Sequence, residues 1–165
     1  MQKLINFVID HVLGIVLKIL GTVLVIVVLL QITARYLPIS ASWTDEVARL
    51  LFVWFALLSM ALTYAKNQHL FIDYIYLKLG IKTRAVLDLI SISLVLISSA
   101  ILTVTGWKVL KIVGVQKSSV LQISMKYFYL AVPVAFGIVV LFDSCVLIQK
   151  YLEYKKEKQE GVTEL

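Results

Sequence analysis

Apolar residues along this chain gather into four nearly unbroken blocks, with the polar residues collected between them. The blocks read VLGIVLKILGTVLVIVVLLQITA (12–34), VARLLFVWFALLSMALTYA (47–65), VLDLISISLVLISSAILTVTGW (86–107) and YFYLAVPVAFGIVVLFDSCVLIQ (127–149). A bilayer core about 30 Å thick needs about 20 helical residues at about 1.5 Å each, so every block is long enough to cross. A closed barrel would instead show alternating segments of about ten residues, and only helices and barrels satisfy a lipid-embedded backbone. The pattern predicts an all-α integral membrane protein, a single membrane domain with four transmembrane helices. The first block exceeds the 7–15 apolar residues of a signal peptide and more spans follow, so it reads as an uncleaved first helix.

Two connecting segments are too apolar for ordinary loops. HLFIDYIYLKLGIKTR (69–84) and KVLKIVGVQKSSVLQIS (108–124) read as short interfacial amphipathic helices lying along opposite membrane faces. The plainer alternative is that each is the frayed end of a tilted span. The tail YLEYKKEKQEGVTEL (151–165), with its mixed charges, reads as a helix continuing the fourth span into water.

Composition narrows the class. The 165 residues are 61% hydrophobic and 16% charged, against about 45–50% and about a quarter in soluble domains. That excludes a soluble enzyme, a disordered chain and a nucleic-acid binder. The formal charge of +6 comes from loop lysines and arginines. Placing the N-terminus in the cytoplasm puts ten of the 16 Lys and Arg on that side, with Lys18 snorkelling to it, and six on the other, with Arg49 snorkelling outward. Both termini are therefore expected to be cytoplasmic. Tyr36, Trp43, Trp107, Tyr127 and Tyr129 then fall at outer edges, and Tyr64, Tyr74, Tyr76, Tyr151 and Tyr154 at inner ones, as the amphipathic rings prefer.

Candidate chemistry is sparse. Cys145 is the single cysteine, so no intrachain disulfide or multi-cysteine centre can form. The two histidines, His11 and His69, lie at inner edges rather than where axial haem ligands would sit, and neither HExxH nor CxxC spacing occurs. No catalytic residue, cofactor or metal site is expected. His69 and Asp73, four apart, resemble a base with its orienting carboxylate but lack a nucleophile, so they read as a positioning or partner-binding pair. Asp88 has Arg84 at i−4 and reads as a helix-end ion pair. Asp143 lies deeper. As an ion or proton ligand it would make the chain a self-sufficient, homodimeric small transporter; otherwise it is hydrated, protonated or paired with a neighbouring base. Pro133 suggests a mild kink. Ala61-x-x-x-Ala65 and Ala131-x-x-x-Ala135 permit close helix approach.

The most informative stretch is SWTDEVARLLFVWFALLSMALTYAKNQHLFID (42–73). Ser42-x-x-Asp45 fits a capping pattern, and Asp45 and Glu46 put negative charge at the positive end of the second helix. Arg49, at i+4 from Asp45 and i+3 from Glu46, can be neutralised locally. Trp54 lies about half-way down its span, where its indole N–H needs an acceptor from another helix. It therefore points to packing against protein rather than lipid.

Together these residues resemble the small membrane subunit of tripartite ATP-independent periplasmic (TRAP) transporters, with its W-x-E-E-x-x-R start and R-x-x-x-H-x-x-x-D exit to the second helix. Here Trp43, Asp45, Glu46 and Arg49 form the start, with Asp45 for the first Glu; Lys66, His69 and Asp73 form the exit, with Lys for Arg and two residues rather than three before the histidine. YFYLAVP (127–133) is similar to the fourth-helix signature, although Ser124-Met125-Lys126 replaces a Gly-Ile-Pro-like turn. ARLLFVWFALLSMA and HLFID look closest to sialic-acid systems. The resemblance implies a non-catalytic subunit in the bacterial inner membrane. Its partners would be a large multi-span subunit, which carries substrate and sodium in an elevator-like motion, and a periplasmic binding protein that delivers an organic acid. The small subunit's part would be to scaffold the large one. Trp43, Asp45, Glu46, Arg49, Trp54, His69 and Asp73 would then be interface or structural positions.

Overall fold

A computed structural model describes residues 2–36, 42–66 and 81–163. They form α1 (Gln2–Tyr36), α2 (Ser42–Lys66), α3 (Ile81–Val113), the four-residue α4 (Lys126–Tyr129) and α5 (Ala131–Thr163). Among the described residues four helices are long and apolar enough to cross a membrane: His11–Tyr36, Ser42–Lys66, Ile90–Val113 and Lys126–Ile148. The expected four-helix membrane fold is therefore the observed one. The described residues contain no strand, only an isolated antiparallel bridge between Lys117 and Ser124.

The helices pack in the spatial order α1, α2, α5, α3. Burial along α1 shows why it lies at the edge. Leu13, Leu17, Leu20, Leu24, Val27, Gln31 and Ala34 are the more covered positions, alternating by four and three residues, and most of the remaining surface is exposed. That spacing is a single seam, the width a helix needs to pack on one neighbour. The opposite pattern marks α2. Its interior exposes only a narrow stripe through Asp45, Arg49, Phe52, Ala56, Met60 and Thr63, so it is covered on both flanks by α1 and α5.

Small residues bring the inner helices close. Ala61, Ala135 and Val139 form one buried cluster, and Ile92, Phe142 and Val146 a second, with Tyr64 packed against both. Water does not drive association inside a bilayer, so close van der Waals packing of this kind must. Gly106 of α3 lies against the Pro133 ring, whose Cδ would be 3.0 Å from an added Cβ. On the other side of α2, Gly21 of α1 faces the Phe55 ring at 3.1 Å by the same measure.

Pro133 also explains the break between α4 and α5. It cannot donate to the Tyr129 carbonyl four residues back, and its ring crowds that carbonyl. The helix is interrupted at Leu130 and resumes at Ala131, placing the proline in the first turn, where a missing N–H costs little.

The two connecting segments differ from expectation to different degrees. Residues 108–113 complete α3, and residues 114–125 are turns and a bridge rather than an interfacial helix. Residues 69–80, with His69 and Asp73, lie outside the described residues, as do the side chains of Arg84 and Asp88. Beyond the fourth apolar block the chain stays helical to Thr163.

Candidate functional site

The described sequence-selected residues, Trp43, Asp45, Glu46, Arg49 and Trp54, occupy the first four turns of α2. They lie at the end of the bundle where α1 stops and the 114–125 segment folds over. Arg49 pairs with Asp45, Nη2 to Oδ2 at 3.1 Å, with both side chains largely exposed. Gln31 of the α1 seam donates to the other Asp45 oxygen at 3.3 Å. Asp45 thus ties α1 to α2, and an exposed pair of this kind is worth at most about 1 kcal/mol. Trp43 remains partly exposed, whereas neighbouring Thr44 is buried.

Glu46 does something the helix pattern did not suggest. It turns from Arg49 toward the 114–125 segment, where Oε1 accepts the Val120 N–H and Oε2 the Leu121 N–H, each at 2.9 Å. Those amides belong to a tight hairpin. Ser118 N–H donates to the Ile123 carbonyl at 2.8 Å and Met125 N–H to the Gln116 carbonyl at 2.9 Å. Ser124 Oγ donates to the Gly114 carbonyl at 2.9 Å. The tip reverses through Gln122, whose φ of 55° is uncommon for a side-chain-bearing residue. A hairpin turn leaves amides at its tip without ladder partners, and the Glu46 carboxylate supplies two acceptors as a charge-assisted clamp.

Trp54 has its acceptor in another element. Its indole N–H donates to the Tyr127 carbonyl of α4 at 3.0 Å. Residue 54 is twelve positions into α2, about 18 Å from its start at about 1.5 Å per residue. The Trp54 side chain leans toward the start of its helix, so the start of the last membrane helix packs beside the first half of α2. The hairpin fills the height above it, beside the first turns of α2. Non-helical backbone is tolerated beside a membrane span when protein covers it, which gives the Glu46 clamp a physical reason. Between hairpin and helices lies a cleft of about 380 Å³, with Glu46, Arg49 and Ser118 at its polar side and Val53, Phe128 and Val132 at its apolar side.

A second polar feature lies toward the opposite end. Asp143 of α5 is fully buried, and the Tyr64 hydroxyl of α2 donates to its Oδ1 at 2.8 Å. The sequence assigned Tyr64 to the aromatic belt and left Asp143 without a named partner. Counted from the starts of their apolar blocks, 17 residues for Tyr64 and 16 for Asp143, the two lie at similar depth, which was the available signal. Ser99 of α3 is also buried, and its hydroxyl bonds back to the Val95 and Leu96 carbonyls at 2.7 and 3.1 Å. Among the described residues no group of three or more His, Cys, Asp or Glu could hold a metal.

What this arrangement does chemically is to join segments: each described carboxylate with a mapped contact crosses from one element to another. No individual curated protein matches the chain significantly. Residues 24–152, from the middle of α1 to the far part of α5, match the family described as tripartite ATP-independent periplasmic transporters, DctQ component. With most of its length covered by that match, the chain belongs to the DctQ family and is a small membrane component of a TRAP transporter.

Proposed function

We propose that this chain is the non-catalytic scaffold of its transporter, holding a large elevator-type subunit in place during sodium-coupled uptake of an organic acid. The observation carrying this reading is where the acidic side chains go. Glu46 holds the hairpin, Asp45 joins α1 to α2, and Asp143 joins α5 to α2 through Tyr64. A stator must resist tilting while its neighbour moves, and cross-links of this kind at both ends of α2 favour rigidity. The wide apolar surfaces of α1 and α3 suit anchorage in lipid and beside the large subunit. The hairpin end would face the periplasm and the delivering binding protein, with both termini in the cytoplasm and the inner membrane as location. The sequence blocks at 48–61 and 69–73 favour a sialic-acid type of cargo.

Co-expression tests the assignment. The chain is expected to elute one-to-one with the large subunit, and its deletion to abolish uptake. In vesicles containing this chain alone, substrate flux abolished by Asp143→Asn would instead establish a self-sufficient transporter.

A further inference from the structure

A groove of about 620 Å³ runs along the exposed side of the α1–α2 contact, and Lys18, Thr22 and Ser59 are among its lining residues. Its apolar part is formed by Leu17, Val25, Ile26 and the Phe55 ring, which packs directly on Gly21. Lys18 is seven residues past His11, where the apolar part of α1 begins, a depth of about 10 Å at about 1.5 Å per residue. Its Cα–Cβ bond leans toward the helix N-terminus, so the stem carries the ammonium back toward the membrane surface at which α1 enters. Residues 14, 15, 21 and 22, one turn to either side, are Gly, Ile, Gly and Thr. The described ion pair of the chain, Asp45 with Arg49, is at the other end of the bundle. A cation at this depth calls for an anion, and none of the described carboxylates meets it.

We propose that the groove binds an anionic phospholipid of the leaflet at which α1 begins, with its phosphate on Lys18 and one acyl chain along the Val25 and Phe55 side chains. The layout carries the choice of occupant. A single positive charge stands at the surface-facing end, an apolar slot leads from it toward the membrane centre, and the surrounding α1 positions Ile15, Ile19 and Ile26 are exposed hydrocarbon. A phospholipid has that order of chemistry along its length. The inference needs only the transmembrane placement of α1 and stands apart from the scaffold role.

Native mass spectrometry of the full-length chain, offered equal phosphatidylglycerol and phosphatidylcholine, tests it. One lysine near the membrane surface should favour the anionic lipid about fivefold. Lys18→Gln is expected to bring the two lipids to parity, whereas Lys18→Arg, and Lys111→Gln at the far end of α3, keep the preference. Glycerol phosphate and dihexanoyl phosphatidylglycerol, which lack long chains, should compete poorly. Equal retention of both lipids by the unaltered chain, an unchanged preference in Lys18→Gln, or full competition by glycerol phosphate would each overturn the proposal.

Discussion

Glu46 and Tyr64 are the residues whose contacts reach furthest. Glu46 sits in the first turns of α2, where a carboxylate already suits the helix dipole, yet both its oxygens face amides of another segment. In Glu46→Gln the amide group presents only one acceptor oxygen. The Val120 and Leu121 amides should then exchange with solvent several-fold faster, while the amides in the middle of α2 keep their protection. Unchanged exchange at the tip would show that the hairpin holds itself. Tyr64→Phe removes the hydroxyl from a fully buried carboxylate and should cost about 1–3 kcal/mol, read from thermal unfolding in detergent. Asp45 and Arg49 are exposed by comparison. Arg49→Gln is expected to change stability by less than about 1 kcal/mol, so any larger loss of uptake in that variant reports on assembly with a partner.

At the scale of elements, two glycines with different surroundings provide a controlled comparison. Gly106 meets the rigid Pro133 ring, and Gly14 has nothing within 4 Å. Gly106→Leu should therefore destabilise the α3–α5 contact by about 1–3 kcal/mol through overpacking, and Gly14→Leu should leave the melting temperature nearly unchanged. The helices themselves were legible because twenty-residue apolar blocks have one solution in a bilayer. The need of Trp54 for a protein acceptor was legible too, since an indole N–H in the middle of a span cannot be left to lipid. The 114–125 hairpin was not. VLQIS has the apolar content of an interfacial helix, and the bonds that select a turn, Ser118 to Ile123, Met125 to Gln116 and the distant Glu46, do not follow a local pattern. Helical spacing gave Arg49 two possible acids, and the choice of Asp45 became visible only once Glu46 was seen to serve the hairpin.

The whole molecule is asymmetric in a way that bears on its work. Helix α5 is covered by α2 and α3, while α1 packs on α2 along one seam and exposes the rest to its surroundings. A chain built in this manner presents broad apolar flanks and keeps its described acids for internal joints, as the proposed role of a fixed frame beside a moving subunit requires. The most direct measurement is sodium-driven uptake in vesicles containing the large subunit and the loaded binding protein, with and without this chain. Uptake should require the chain and should persist in Asp143→Asn, provided that variant still assembles. Full uptake by the large subunit alone, or loss of uptake in a normally assembled Asp143→Asn complex, would contradict the account.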